Sequence, residues 1–315
     1  MVTNDMTEYA NSVFEQPWWL NIVAPNKWHE SIVRNKKDEV IARLVYVVED
    51  KKIVMPSFTQ TIGPWIREDH REFKRGNKQY YEIKAIINEL LEDLSGFKQI
   101  SFTMDSNNDY VLPYYWNDFK IQPSFSYRIK DLSNLEQVKS KFSKTVVQNI
   151  RSANKKVTIR STNNIDESIN LIKKTFEKQN RKLPFSEILI SEIINQSIER
   201  NNGRLYTAYG EDGTPYSTAF LLYDDKVSYY LLGGTDPEYS STGVQTAILW
   251  EAIQFSAEVS NMFDFEGSNI EGIENFMRQF GSDIITNYTV KKNTILYDLF
   301  DVLKPRIKRR IGYKI

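Results

Sequence analysis

Two carboxylates and a glycine follow a short apolar run in the stretch MFDFEGSNIEGIENFMRQFG, residues 262–281. Residues 263–265 have the composition of a buried strand, yet Asp264 lies inside this run and Glu266 directly follows it. A strand end that opens into a glycine turn can fix a reactive side chain and expose it at the same time. The alternative interpretation is that both carboxylates are solvated or cap the following helix. The pattern therefore indicates a candidate site for carboxylate chemistry.

The composition excludes several other kinds of active site. The 315 residues contain no cysteine, so thiolate nucleophiles, disulfides and Cys-based zinc sites are excluded. His29 and His70 are the only histidines, and no G-x-S-x-G sequence accompanies them, which argues against a Ser-His-Asp triad. We therefore predict no metal site and a reaction by direct attack, without a covalent enzyme intermediate.

Length and charge favour a folded protein of two domains. A chain of 315 residues is long for one compact domain, and 41% hydrophobic with 26% charged residues are ordinary globular values. The 41 basic residues balance the 41 acidic ones, so the overall charge does not indicate nucleic-acid binding. No apolar run of about 18 residues and no signal-peptide pattern is present, which predicts a cytoplasmic protein.

Two local segments are nevertheless basic. The tail KPRIKRRIGYKI, residues 304–315, carries six basic residues and no acidic one. It either contacts an anionic membrane surface or RNA, or it is a solvated tail interrupted by Pro305. Residues 139–156, predicted as a basic helix, form either a solvated face or, beside a cleft, a surface for phosphate-bearing ligands.

The second half of the sequence has a clear order of elements. The runs RLYTAYG, YSTAFLLYD and VSYYLLGG are rich in Tyr, Leu and Phe and are separated by turns with Gly, Pro and Asp, which predicts an antiparallel meander. Apolar residues at helical spacing then predict a helix between residues 244 and 259, followed by the strand of MFDFEGS, a second helix and a last strand, ITNYTVKK.

The first half repeats this order. Three strand-like runs in residues 29–56 are followed by the loop TQTIGPW, by a helix with apolar residues from 83 to 94, and by the strand KQISFTMD. The repeat predicts an α+β protein of two similar domains, residues 1–125 and 126–292, followed by a basic C-terminal tail, residues 293–315. Each domain is expected to have a mainly antiparallel sheet flanked by helices.

These motifs, taken in order, resemble the FemAB-like acyltransferases of the GNAT superfamily. The resemblance covers nearly the whole chain and also rests on QPWWLNIVAPNKW near the start, MPSFTQTIGPW after the third strand, and SKTVVQNIRSANKKV before the second meander. It implies two tandem acetyltransferase-type domains. It also implies transfer of an acyl group, acetyl or aminoacyl, to an amine of an amino sugar or of a cell-envelope glycan or peptidoglycan precursor.

Acyl transfer to an amine assigns roles to particular residues. Glu266 is the first candidate for the base, because a carboxylate beside buried phenyl rings can have a raised pKa, whereas Asp264 is interpreted as structural. Asp236 and Tyr239 are predicted to orient the acceptor or to protonate the leaving group. The loop before the predicted helix is expected to bind the donor's phosphates through Ser240, Ser241, Thr242, Gly243 and Gln245, with an N-cap cluster as the alternative.

The acceptor is predicted to bind in the first domain, through Thr59, Gln60 and Trp65. Trp18 and Trp19 are interpreted mainly as core residues. Acetyl-CoA or another acyl-CoA is the preferred donor and aminoacyl-tRNA the alternative, because the chain lacks the long helical arm of the peptidoglycan-bridge enzymes. Peripheral contact with the inner membrane face is an alternative use of the tail. A different class also stays open, a non-catalytic carbohydrate-binding or assembly protein of an envelope-polysaccharide pathway.

Overall fold

The structure is a computed structural model that describes residues 6–72, 77–178, 180–267 and 271–293. The elements up to residue 129 are, in chain order, a 3₁₀ turn (Val13–Glu15), α1 (Pro17–Val23), β1 (Trp28–Arg34), β2 (Val40–Glu49), β3 (Lys52–Val54), β4 (Trp65–Ile66), α2 (Glu68–Arg71), α3 (Lys78–Glu92), β5 (Gln99–Met104), α4 (Leu112–Trp116) and β6 (Lys120–Ile129).

The remaining elements follow in the same way. They are α5 (Leu135–Ser140), α6 (Lys144–Ala153), β7 (Val157–Ser161), α7 (Ile165–Lys178), α8 (Glu187–Glu199), β8 (Gly203–Gly210), β9 (Pro215–Tyr223), β10 (Val227–Thr235), a 3₁₀ segment (Pro237–Thr242), α9 (Val244–Val259), β11 (Met262–Asp264), α10 (Glu271–Arg278) and β12 (Asp283–Asn293).

The chain divides into two compact units, the described residues of 1–124 with 286–315, and residues 125–285. This grouping places residues 286–293 with the first unit, whereas the sequence pattern predicts that they belong, up to residue 292, to the second domain. The division at 125/126 and 292/293 stays a prediction. The proposed tail of residues 293–315 lies, beyond Asn293, outside the described residues.

In the first unit the strands are ordered β1-β2-β3-β5-β12, with β4 beside β2. All these pairs are antiparallel except β3 with β5, which is parallel. The first eight residues of β2 are buried without alternation, so both faces of this strand are covered. Helix α3 packs against β1 and β2, and Trp18 and Trp19 are core residues with 2% and 0% exposure, as the sequence predicted.

In the second unit the strand order is β6-β11-β10-β9-β8-β7. The parallel pair is β10 with β11, and the other recorded pairs are antiparallel. Helix α9, with ten buried residues among its 16, packs against β8, β9 and β10, because Ile248, Ile253 and their neighbours form the core with Phe263 and Phe265. Helix α7 also packs against β9 and β10.

The two units share one strand order. In each, a three-strand meander is followed by a helix and by a strand parallel to the third one, as β1-β2-β3-α3-β5 and as β8-β9-β10-α9-β11. In each, the next strand of the sheet is antiparallel but distant in sequence, β12 beside β5 and β6 beside β11. The α+β class and the mainly antiparallel sheets flanked by helices are confirmed.

The predicted basic helix over residues 139–156 was wrong in its extent. Helix α5 ends at Ser140, and Ser143 begins the next helix as its N-cap, accepting a hydrogen bond from the Val146 N–H at 3.2 Å. A serine side chain can accept a hydrogen bond from one of the unpaired N–H groups at a helix start. A new helix therefore begins after Ser143, although the spacing of apolar residues predicts one continuous helix.

Candidate active site

The candidate site lies in the second unit, where the parallel strands β10 and β11 separate. Their pairing joins residues 227–229 to residues 262–264 and ends there, although β10 continues to Thr235. A register irregularity between Tyr230 and Leu232 marks a bulge of β10 against β9 at the same level. Two adjacent parallel strands that separate leave their main-chain groups and flanking side chains accessible at the opening.

Glu266 follows β11 at this opening. Its backbone has a φ of +66°, a left-handed conformation that is uncommon for a non-glycine residue and often marks a functional turn. The N–H of Glu266 donates to Oδ1 of Asp264 at 2.7 Å. At Gly267, φ is +57° and an added Cβ would lie 2.1 Å from the carbonyl oxygen of Phe125, so only glycine fits there. The turn therefore holds Glu266 in one backbone position.

Asp264 anchors this turn. Its side chain is fully buried and accepts hydrogen bonds from Nε of Arg128 at 2.8 Å and from the hydroxyl of Ser126. Arg128 is itself only 4% exposed, so the pair is a buried ion pair between β11 and β6. These contacts give Asp264 a structural role, in agreement with the interpretation of the sequence pattern.

Glu266 is in a different electrostatic state from an ordinary surface carboxylate. The residue is partly exposed, but Oε1 is buried and has no hydrogen-bond partner among the described residues. Burial raises the pKa of Glu266 well above the ordinary value of 4.5, the negative charge of Asp264 raises it further, and Arg128 opposes the shift. A raised pKa makes the ionised carboxylate a stronger base, which is the property that removal of a proton from an amine needs.

Asp236 is the N-cap of the 3₁₀ segment between β10 and α9. Its carboxylate receives a hydrogen bond from the Glu238 N–H at 3.1 Å and forms an ion pair with Nζ of Lys174. Burial opposes ionisation, but the hydrogen bond from Lys174, the Glu238 N–H and the Lys174 charge together lower the pKa of Asp236. An ionised Asp236 can orient a partner but is a poor proton donor.

Tyr239, the other predicted catalytic residue of this segment, stacks on Tyr216. The two rings are nearly parallel, with an interplanar angle of 5° and a centroid distance of 3.5 Å. Desolvation, followed by neighbouring groups that include Glu238 and Asp236, raises the pKa of Tyr239, so its hydroxyl keeps its proton. Tyr239 is therefore better suited than Asp236 to donate a proton.

The predicted donor-binding residues follow in the same segment and in the first turn of α9. Ser240 donates to the Pro237 carbonyl at 2.8 Å and lies 3.1 Å from Nζ of Lys178, which the sequence analysis did not single out. Thr242 donates to the carbonyl oxygen of Tyr239 at 2.6 Å, and Ser241 is exposed. These contacts are those of a local turn cluster, and Lys178 adds a positive charge to it.

Gly243 and Gln245 have internal contacts. Gly243 has a φ of +79°, and an added Cβ would lie 2.8 Å from the Cβ of Asn149 on α6, so close helix packing requires glycine here. The Gln245 side chain accepts hydrogen bonds from Ser217 and Thr235, both at 2.6 Å, and donates to the hydroxyl of Tyr230 at 2.7 Å. The Gln245 amide thus cross-links β9, β10 and α9, and its predicted donor contact stays a prediction.

The predicted acceptor-binding residues lie in the first unit. Thr59 accepts a hydrogen bond from Nε1 of Trp19 at 2.9 Å and donates to the Ser57 carbonyl. Trp65 begins β4, pairs with Arg43 of β2 and packs against the ring of Tyr9 at 5.1 Å. Gln60 lies in the loop between them and is partly exposed. The acceptor role of these three residues stays a prediction.

Within residues 6–72, 77–178, 180–267 and 271–293, no group of three or more His, Asp or Glu side chains could hold a metal ion. In the same ranges, no helix has the length and apolar character needed to cross a membrane. Of the basic residues of α5, α6 and their flanks, Lys139 is partly buried and five are exposed: Lys141, Lys144, Arg151, Lys155 and Lys156.

A comparison with protein families matches residues 140–272 to the acetyltransferase (GNAT) domain family. The chain carries a GNAT domain. The matched range contains Glu266, the diverging strands β10 and β11, and the start of α9. This confirms the resemblance drawn from the sequence, and it supports an acyltransferase enzyme.

Solved structures with the same fold include FemX, with a TM-score of 0.70 and 13% identity over 92% of this chain and 95% of that one. L-PGS from Bacillus licheniformis matches with a TM-score of 0.55 and 13% identity, over 90% of each chain. The C-terminal domain of a putative lysylphosphatidylglycerol synthetase from Agrobacterium fabrum matches with a TM-score of 0.57 and 11% identity, over 87% of this chain and 88% of that one. None of the curated proteins matches this chain. At these identities the structures show a shared fold.

Proposed function

We propose that the protein transfers an acyl group to the amine of an amino sugar or of a cell-envelope glycan precursor, by direct attack, with Glu266 as the general base. The observation that supports this most is the state of Glu266. A carboxylate of raised pKa, with a buried oxygen that has no described hydrogen-bond partner, lies where the parallel strands of a GNAT domain separate.

The proposed step needs one proton acceptor and one proton donor. The amine nitrogen attacks the acyl carbon, the new C–N bond forms, and the bond from the acyl carbon to the donor's sulfur or oxygen breaks. Glu266 takes the proton that the amine loses. The leaving thiolate or alkoxide takes a proton from Tyr239, because this hydroxyl is protonated while Asp236 is held ionised by Lys174.

An acyl-CoA is the proposed donor. Enzymes with a GNAT domain usually use acyl-CoA, and the segment before α9 offers polar groups for the donor's phosphates at Ser240, Ser241 and Thr242. The ammonium group of Lys178, which lies 3.1 Å from Oγ of Ser240, adds a positive charge beside these residues. The proposed acceptor contacts are those of Thr59, Gln60 and Trp65 in the first unit.

Aminoacyl-tRNA is the second candidate donor. The putative lysylphosphatidylglycerol synthetase among the fold relatives is named for a product in which an amino acid is joined to a lipid. In this chain the exposed basic residues of α5 and α6 offer a surface for an RNA backbone. Neutralising phosphates releases counterions, so binding of this kind weakens steeply with salt.

Isothermal titration at two salt concentrations separates these donors. Micromolar, salt-tolerant binding of acetyl-CoA is the expected result. Binding of charged tRNA alone, with strong salt dependence, would replace acyl-CoA by aminoacyl-tRNA as the donor. Binding of neither donor, together with tight binding of a glycan, would favour the non-catalytic alternative for the envelope pathway.

Turnover by the Glu266→Gln variant tests the proposed base. With a panel of amino sugars and acetyl-CoA, release of free thiol is expected to fall by about 10²-fold or more in this variant, because the amide cannot accept the proton. Glu271→Gln, which changes an exposed carboxylate of α10, is the matched control and keeps its activity. Full activity of Glu266→Gln would remove Glu266 from the mechanism.

The pH dependence provides a second measurement on the same site. The wild-type rate is expected to fall as the pH drops through the raised pKa of Glu266, since the base must be ionised. The pH dependence of stability has the opposite sign to that of the rate. A pKa raised on folding contributes stability at low pH that is lost as the pH rises through the folded value. Glu266→Gln should therefore unfold no more easily than the wild type at neutral pH, which separates lost catalysis from lost folding.

A further inference from the structure

A pocket lies wholly in the first unit, away from the residues of the GNAT domain match. It has a volume of about 190 Å³ and lies between β4, α2, α3, α4 and the loop after β5. Arg71, Asn108, Asp109, Tyr80, Tyr110 and Tyr114 contribute its polar and aromatic lining. Such a concave site with few polar groups and several rings has the make-up of a small-molecule site.

Arg71 is the principal charge of this pocket. Its guanidinium donates to the carbonyl oxygens of Asn107 at 3.1 Å and Pro64 at 3.3 Å, and to Oδ1 of Asn108 at 2.9 Å. All three acceptors are neutral, and among the described residues no carboxylate forms an ion pair with Arg71. Burial lowers the pKa of Arg71, and the charges of Glu68 and Asp109 oppose this shift. A cation that is oriented by neutral groups keeps its charge available to a ligand.

Asn108 provides a second, independent indication. The residue is 9% exposed, and its Nδ2 is buried without a hydrogen-bond partner among the described residues. Its Oδ1 is used by Arg71, which leaves the amide N–H groups as donors. Buried donors without a partner are costly, so an acceptor from a bound molecule would satisfy this group. Arg71 and Asn108 together form a donor pair suited to an oxyanion.

Aromatic side chains define the rest of the pocket. The rings of Tyr80 and Tyr110 are 5.1 Å apart at an angle of 60°, and Tyr80 is 44% exposed. Tyr114 is buried at 1% exposure and close enough to Arg71 for its charge to act on the phenol. Tyrosine rings bind the apolar faces of sugar rings and offer hydroxyl groups to their edges. Asp109, which is exposed, carries the single negative charge of the lining.

We propose that this pocket binds the oxyanion of a small sugar derivative, a phosphate ester or a carboxylate, with Arg71 and Asn108 as its donors. The inference goes beyond the proposed acyl transfer. It concerns binding in the first unit and does not depend on which donor the GNAT domain uses. The planar guanidinium suits both anions, because both present two oxygens to its N–H groups.

Titration of the full chain with three matched sugars tests the proposal. Glucose 1-phosphate and glucuronic acid represent the two anions, and glucose is the uncharged control. At least one of the anionic sugars is expected to bind about tenfold or more tightly than glucose, since hydrogen bonds to a charged group are worth more than neutral ones. The anion that binds identifies the ligand class. Equal binding of glucose, or no binding of either anion, overturns the proposal.

Arg71→Gln and Asp109→Asn should change anion binding in opposite directions, and Arg34→Gln is the control. Arg71→Gln should abolish the preference for the charged sugar, and Arg34→Gln, at an arginine with a 48% exposed side chain elsewhere in the same unit, should leave it unchanged. Because Arg71 also holds two backbone carbonyls, its loss can weaken folding. Asp109→Asn removes a repelling charge without any recorded side-chain contact and should tighten anion binding about threefold. Unchanged binding in Asp109→Asn and in a folded Arg71→Gln variant contradicts the assignment.

Discussion

Replacing Gly243 by alanine is expected to destabilise the second unit through two separable effects. The first is conformational, because φ at this position is +79° and alanine in the left-handed region costs about 1 kcal/mol. The second is steric. An added Cβ would lie 2.8 Å from Cβ of Asn149 and 3.0 Å from its Cα and carbonyl oxygen, and overpacking of this kind costs about 1–3 kcal/mol. The sum is about 2–4 kcal/mol.

Gly213 offers the matched control within the same unit. Its φ is +82°, but an added Cβ meets no heavy atom within 4 Å, so Gly213→Ala should show the conformational cost alone, about 1 kcal/mol. Urea unfolding of both variants, followed by a probe in residues 125–285, gives the difference. Gly243→Ala should also slow acyl transfer, because relief of the contact moves the start of α9. Equal losses of stability in the two variants would refute the proposed contact with α6.

Three further variants test the candidate site. Asp264→Asn removes a negative charge that raises the pKa of Glu266, so the pH at which the rate is half-maximal should move to a lower value. An unchanged pH profile would show that the charge of Asp264 does not act on Glu266. Gln245→Leu should lower the free energy of unfolding by about 2 kcal/mol, since it removes three side-chain hydrogen bonds that join β9, β10 and α9. A raised KM for the donor at unchanged stability would instead support the donor contact. Tyr239→Phe keeps the stacked ring, so its stability should be unchanged, while the rate should fall about tenfold or more. An unchanged rate would exclude this hydroxyl as the proton donor.

The sequence alone did not predict which strands from distant parts of the chain pair with each other. The meander β8-β9-β10 and the helix α9 follow from local patterns, because turn residues and apolar spacing act over a few positions. The pairing of β6 with β11 joins residues more than 130 positions apart. No periodicity within β6 indicates which strand it will join, since any strand edge offers the same backbone groups.

Some residues of the candidate site were predicted from the sequence, and others were found only in the structure. The sequence identified Glu266 from its place after an apolar strand, and it identified the segment before α9 from its position between a strand and a helix. It did not identify Arg128 or Lys174, because an isolated basic residue has no signature of its own. Their ion pairs with Asp264 and Asp236 arise only when separate elements pack together. The pKa directions of Glu266 and Asp236 depend on those contacts.

By itself, the sequence determined the α+β class, the repeated order of strands and helices, and the absence of cysteine chemistry, because these depend on composition and on short-range spacing. Only the tertiary structure shows that Asp264 forms an ion pair, whereas Glu266 has a buried oxygen without a described partner. It also decided that Gln245 cross-links three elements and that Arg71 lines a pocket among neutral acceptors. Burial and charge pairing depend on atoms brought together from distant positions, and only the folded chain brings them together.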